Sequence, residues 1–165
     1  MQDRRAAYLV PIEPYGNLHD YVPFYFAPRS PMLYSITKGN VDGYADGQKP
    51  IIYLVSKPVI IKKKSLPFCF TDGHGIMAFT DYFNDLKDLD KVDWDIMKAT
   101  YWMDTEQDND RRRRRMAEFL VYNFVPFECF IGIGVYNDDY KEKVELLLKE
   151  FSLDIPVKLK SNWYY

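Results

Sequence analysis

Two charged residues stand where this chain could do chemistry, and each admits two readings. Arg29 lies in Ala27-Pro28-Arg29-Ser30-Pro31. The flanking prolines restrict the backbone, so a guanidinium presented from this stiff turn loses little entropy when it grips a phosphate or carboxylate with two parallel donors. A surface arginine paired with a local acid is the plainer reading, and spacing alone does not separate the two. Glu118 follows five consecutive arginines and opens an apolar element. A carboxylate there suits the stabilisation of positive charge at a sugar carbon and the holding of a ribose hydroxyl, as in cleavage of glycosidic bonds. It equally suits a capping or solvated glutamate beside Arg114 or Arg115.

The arginine run is the sharpest change of charge in the chain: Asp104, Glu106, Asp108 and Asp110 lead directly into Arg111, Arg112, Arg113, Arg114 and Arg115. It reads either as a strip contacting a nucleic-acid backbone, with salt-dependent affinity, or as a solvated face balanced by the acids before it. Tyr101 and Trp102 favour the first, since flat rings stack on unpaired bases at about 1–3 kcal/mol per base. The same rings are at home in a core. His74 stands in the turn Asp72-Gly73-His74-Gly75, where a ring could donate to a phosphate or a base. With 2 histidines in the chain, neither a metal cluster nor a catalytic triad assembles. Cys69 and Cys129 lie far apart with no CxxC spacing, which points to reduced thiols in a cytoplasmic protein.

These side chains need elements to hold them. At 165 residues the chain is long enough for one domain, residues 1–165, and no linker or internal repeat divides it. Hydrophobic residues at 47% and charged residues at 28% fit a globular fold and exclude a disordered tail. A net charge of −2 provides no general basic field, so any nucleic-acid contact must be local. No apolar run is long enough to span a membrane or to form a signal peptide. The 17% aromatic content exceeds the needs of a core and suits a stacking surface as well.

Along the chain, residues 8–16 read as a loop and Tyr21–Phe26 as extended, with Ser30 capping a short helix that starts at Pro31 and runs through Ile36. Arg29 then occupies a strand-to-helix corner. Residues 51–55 read as a short buried strand, 59–61 as a second extended unit and 68–72 as a third strand. Residues 81–110 lean towards helix. Met116–Tyr122 is ambiguous between helix and strand, and Glu118 stands near its start on either reading. Ile131-Gly132-Ile133-Gly134-Val135 reads as a strand and not as a dinucleotide fingerprint, because Asn137 occupies the place of the third small residue. Asp139 and Glu142 have capping-box spacing before a helix whose face carries Tyr140, Val144, Leu147, Leu148 and Phe151, and residues 155–159 alternate as a last strand. The class is α+β.

Three motifs in order, the block from His19-Asp20-Tyr21-Val22-Pro23-Phe24-Tyr25-Phe26 to Pro28-Arg29-Ser30-Pro31-Met32-Leu33, the turn Phe70-Thr71-Asp72-Gly73-His74, and Asp108 through Val121 followed by Val125-Pro126, resemble the DarT family. Its members are toxins of DarT–DarG toxin–antitoxin pairs that transfer ADP-ribose from NAD to thymine in single-stranded DNA. The resemblance implies an ADP-ribosyltransferase fold with a split central β-structure and flanking helices, with NAD as substrate and no metal. It implies that Glu118 is the catalytic glutamate and Arg29 the catalytic arginine, ending an NAD-binding element with Tyr21, Phe24 and Tyr25. It assigns His74, Tyr101, Trp102, Arg111, Arg112 and Arg113 to the DNA, and single-stranded DNA and a DarG-like macrodomain antitoxin as partners. Family members also carry an initial strand and loop with a His-x-Thr-His type motif. No such motif occurs here, so the expectation is a domain shortened at its N-terminus, with a non-catalytic nucleic-acid-binding remnant as the alternative.

Overall fold

In the computed structural model, which describes residues 2–165, the strands fall into two separate sheets. In chain order the elements are α1 (Gln2–Ala6), β1 (Tyr21–Tyr25), α2 (Pro31–Thr37), β2 (Tyr53–Val55), α3 (Pro58–Lys63), β3 (Phe68–Thr71), β4 (Tyr82–Phe83), α4 (Trp94–Lys98), α5 (Arg111–Arg115), β5 (Glu118–Tyr122), β6 (Gly132–Val135), α6 (Asp138–Glu150) and β7 (Val157–Leu159). The chain forms two compact units, each drawn from two stretches: Met1–Ala27 with Pro58–Val125, and Pro28–Lys57 with Pro126–Tyr165.

The first unit holds a four-stranded antiparallel sheet in the order β1-β5-β3-β4. The ambiguity at Met116–Tyr122 resolves as strand. β5 lies between two neighbours with both faces covered, a setting that suits Phe119, Leu120 and Val121 better than a one-sided helix would. Pro23 is tolerated because β1 is an edge strand of this sheet. One face packs Val10, Leu18, Tyr21, Cys69 and Leu120 together. The other is aromatic: Phe68 stacks on Phe119 at 4.9 Å and Phe70 on Phe83 at 5.4 Å, while Phe26 meets Trp94 edge-on at 5.6 Å. Such pairs contribute about 0.5–1.5 kcal/mol each beyond their buried area. Part of the aromatic surplus, Phe70 and Phe119 among it, is therefore core.

The second unit holds the sheet β2-β6-β7, with β2 antiparallel and β7 parallel to β6. Parallel neighbours need a crossover, and α6 supplies it, burying Val144 against Ile133, Val135 and Ile155. Gly134 has a packing reason: a Cβ there would stand 2.8 Å from the Trp163 ring. Ser30 accepts from the Leu33 N–H at 3.2 Å and caps α2, as its place before Pro31 implies.

Four expectations need correction. Residues 59–61 are helical, in α3: Pro58 at the first position and Lys62 and Lys63 in the last turn suit a helix, and only Ile61 is buried. The cap of α6 is Asn137, accepting from the Tyr140 N–H at 3.1 Å, in place of an Asp139 capping box. Leu147 and Phe151 on that helix are exposed, so its buried stripe is narrower than the spacing implied. Residues 81–110 contain only α4 as regular α-helix; paired charges and backbone bonds hold much of the rest.

Candidate active site

Register decides what surrounds Glu118. As the first residue of β5 it lies opposite Tyr25 of β1, and on the other side β3 pairs Cys69 with Leu120, which brings Thr71 alongside. The Glu118 N–H donates to Thr71 Oγ1 at 3.0 Å, and the Thr71 hydroxyl donates to the Gly73 carbonyl at 2.6 Å. A side chain thus closes the ladder at the point where the carboxylate begins.

Glu118 is 3% exposed. Arg5 of α1 donates from Nη1 to Glu118 Oε1 at 2.9 Å and from Nη2 to the Leu18 carbonyl at 3.3 Å. The second oxygen, Oε2, is buried with no hydrogen-bond partner among the described residues. It lies against Gly75, where a Cβ would stand 3.3 Å from it and 3.1 Å from the Tyr82 hydroxyl oxygen, so glycine is what leaves room beside this edge. Burial pushes the Glu118 carboxyl above the usual carboxylate range; the Arg5 charge opposes the rise, and the Gly75 amide, short of a bond by geometry, adds a weaker pull the same way. Burial, and then the neighbouring Glu118 charge, push the Tyr25 hydroxyl up to about 12.

The arginine run forms α5, and most of its guanidinium groups are bound within this unit. Arg113 makes a two-pronged pair with Asp110, at 2.7 and 2.8 Å, and reaches Asp72 at 3.0 Å. Arg114 pairs with Asp93 and Asp108. Arg115 is buried and donates to the carbonyls of Ile96, at 2.8 Å, and Met97. Arg111 donates to the carbonyls of Tyr101 and Met103 at 2.6 and 3.1 Å. Arg112 has an exposed side chain. The assignment of Arg111 and Arg113 to DNA meets a competing use in this structure: the acids just before the run and the loop backbone engage these two.

Other candidates separate in the same way. Tyr101 is exposed, whereas Trp102 is 5% exposed and packs in the core of this structure. Tyr21 is also buried, with its ring edge-on to Tyr122 at 5.3 Å and its hydroxyl donating to the Tyr15 carbonyl, so it packs in the core of this unit. Phe24 pairs with Phe119, on the opposite face of the sheet from Glu118. Tyr21 and Tyr25 share Glu118's face, and Tyr25 is the one directly opposite it. His74 is half-buried; burial, then the charges of Arg5 and Arg112, hold its imidazole below the usual value and favour the neutral ring. The His74 backbone N–H donates to the Arg113 carbonyl at 3.0 Å and its carbonyl accepts from the Thr80 hydroxyl at 2.8 Å.

In the second unit Arg29 holds a left-handed backbone with φ of 55°, a conformation that costs a residue with a Cβ and persists where its surroundings enforce it. Tyrosines do so here. The Arg29 carbonyl accepts from the Tyr165 hydroxyl at 2.6 Å, its N–H donates to the Tyr53 hydroxyl at 3.4 Å, and Nε donates to the Tyr164 carbonyl at 2.8 Å. The side chain is aimed by its own backbone and by the Tyr164-Tyr165 pair.

A family model described as the ssDNA thymidine ADP-ribosyltransferase DarT matches residues 1–165. The chain belongs to the DarT family. A DNA ADP-ribosyl transferase of Thermus sp. (strain 2.9) is 42% identical across 100% of this chain and 78% of its own length, and one of Escherichia coli O127:H6 is 35% identical across 98% of this chain and 74% of its own. Two solved structures of Thermus sp. 2.9 DarT superpose on this DarT-family chain. The complex with ADP-ribosylated ssDNA gives a TM-score of 0.94 at 42% identity, covering 99% of this chain and 78% of that one; the complex with NAD+ gives 0.93 at 41% identity, covering 98% and 81%. The α+β ADP-ribosyltransferase fold expected from the motifs is the fold of this DarT chain. Sequence reading missed Arg5, the hydroxyl of Thr71 and the aromatic hold on Arg29. Thr71 lay inside a recognised motif but carried no signal of its own, and Arg5 is 113 positions from Glu118.

Proposed function

We propose that this chain transfers ADP-ribose from NAD to thymine in single-stranded DNA, with Glu118 and Arg29 as its catalytic residues. The observation that carries the reading is Glu118: a buried carboxyl at the head of a strand lying between two neighbours, with one oxygen gripped by Arg5 and the other without a hydrogen-bond partner among the described residues. A buried polar atom left unpaired costs about 1–3 kcal/mol, which a fold tolerates where a ligand completes the bond. A ribose hydroxyl fits that role, so the residues present suit NAD. Membership of a family described by this activity, and relatives solved with NAD+ and with ADP-ribosylated ssDNA, support the same reading.

NAD supplies the ADP-ribosyl group as its bond to nicotinamide breaks. Glu118 then faces the positive charge that develops at the ribose carbon and orients the sugar through Oε2. Arg29 stabilises the thymine anion formed as N3 gives up its proton to solvent water, and N3 then attacks that carbon from the side opposite the departing nicotinamide. A single-stranded acceptor removes the cost of a few kcal/mol for unpairing the base. Of the residues first assigned to DNA, Tyr101, Arg112 and His74 keep that role in this reading. It also carries the toxin role in the cytoplasm and a DarG-like macrodomain antitoxin as partner.

The test is incubation with NAD and a thymine-containing single-stranded oligonucleotide, read by mass spectrometry. One added ADP-ribose that disappears with Glu118→Ala and with Arg29→Ala is the expected result. No adduct, with salt-sensitive oligonucleotide binding retained, would instead identify a non-catalytic binding protein; label on protein or RNA alone would identify a different acceptor.

A further inference from the structure

We infer that Arg5 is a positioning residue for Glu118, gripping Oε1 so that Oε2 is the edge turned to the ribose. This rests on the proposed function and deepens it. The geometry is specific: Arg5 reaches both Glu118 Oε1 at 2.9 Å and the Leu18 carbonyl at 3.3 Å, so two anchors fix the guanidinium plane. The Arg5 and Glu118 side chains are 19% and 4% exposed, so solvent screens the pair far less than a surface ion pair. A carboxylate held through one oxygen keeps a defined rotation about its last bond, which a free glutamate side chain lacks.

Titratable groups from every neighbouring strand surround this carboxyl. Tyr25 of β1, Cys69 of β3 and Tyr82 of β4 all carry hydroxyl or thiol groups whose ionisation to anions is opposed by burial and by the Glu118 charge, and groups of this type have no cationic form to offset the carboxylate. His74, beside Arg5, is held towards its neutral form. The nearby Gly75 amide contributes a dipole only. Arg5 is thus the cation that opposes the effect of burial on Glu118, and without it burial would favour the protonated acid still more, a form that faces developing positive charge poorly. The same contact sets two properties of the acid, its charge and its orientation.

The experiment compares the unsubstituted chain with Arg5→Gln and Arg5→Lys in two measurements. One is kcat/KM for oligonucleotide modification from pH 5.5 to 9; the other is titration of the Glu118 carboxyl by carbon-13 NMR, assigned with Glu118→Gln and independent of turnover. In Arg5→Gln the Glu118 titration and the acid limb of kcat/KM both move to higher pH, with a loss of about tenfold or more at pH 6, the factor of one charge-assisted hydrogen bond, closing towards pH 9. Arg5→Lys keeps most of the charge effect and so most of the pH profile. An unmoved Glu118 titration in a folded Arg5→Gln protein overturns the inference. So does a loss equal at every pH that Arg5→Lys does not relieve, which marks a structural role. Should Arg5→Gln fail to fold, Arg5→Lys decides: a profile matching the unsubstituted chain supports the inference, and a uniform loss overturns it. If the unsubstituted chain shows no transfer while the Arg5-dependent titration persists, the proposed function fails and the hold of Arg5 on Glu118 stands.

Discussion

Replacing Thr71 by valine removes one hydroxyl and almost no volume, yet it should cost more than most surface substitutions. Thr71 is fully buried, and its hydroxyl does two things: it accepts from the Glu118 N–H at 3.0 Å and donates to the Gly73 carbonyl at 2.6 Å. Valine leaves a donor and an acceptor without partners in a place water does not reach. At about 1–3 kcal/mol for each unsatisfied group, less some relaxation of the Gly73 turn, the expected loss is about 2–4 kcal/mol. For a chain of this size each kcal/mol lowers Tm by about 2–4 °C, so the drop is about 5–15 °C. Thr71→Ser keeps both bonds and loses one buried methyl, for about 1 kcal/mol. Urea denaturation of the three proteins, with a common slope required, gives the comparison directly. Turnover adds a second reading, because the bond from Thr71 positions the backbone that carries the carboxylate: Thr71→Val should lose activity below its melting range and Thr71→Ser should keep it. A valine variant within about 1 kcal/mol of the serine variant would refute the reasoning, since the hydroxyl would then hold nothing.

Two further outcomes follow from the charges. The Glu118 carboxyl is raised in the fold, so the folded state binds that proton more tightly than the unfolded chain does; its contribution is complete below the unfolded value and is lost as pH rises through the folded one. The Tm of Glu118→Gln minus that of the unsubstituted chain should therefore grow in favour of glutamine between pH 4.5 and pH 8, and scanning calorimetry showing a flat difference contradicts this. Arg112→Ala and Arg113→Ala should also behave as opposites. Arg112 is exposed, so its loss should leave Tm unchanged while weakening oligonucleotide binding and reducing its salt dependence; Arg113, paired with Asp72 and Asp110, should lower Tm, and equal effects in both assays would count against the division.

Legibility in the sequence followed the distance over which a residue finds its partner. Ser30 and the helix after Pro31 were readable because capping acts over three positions. The Asp110–Arg113 pair acts over the same span, yet it argues against the DNA-facing role the motif implied: acids placed just before a basic run are also its nearest counter-ions. Residues 59–61 went the other way, since a short apolar run is compatible with strand or helix until its packing is known. The burial of Tyr21 and Trp102 was not legible for one reason: an aromatic side chain looks the same in sequence whether its face meets a base or a core.

Glu118 sits at the boundary between the legible and the illegible. Its residue type and its place at the start of an apolar element were visible, and alternation along β5 sets its face. The surroundings that govern its charge were not visible, because Arg5 arrives from a helix 113 positions away and the Gly75 turn from a different loop. The sequence reading left a solvated surface glutamate open for this position. Burial to 3% excludes that role, and with one oxygen already on Arg5, the unpartnered Oε2 is the feature a bound hydroxyl would complete. An acid so placed is costly to a fold that uses it for stability alone, since a protonated or amide side chain would suit the same cavity better; its persistence as a carboxylate held by an arginine is explained by what the free oxygen can bind.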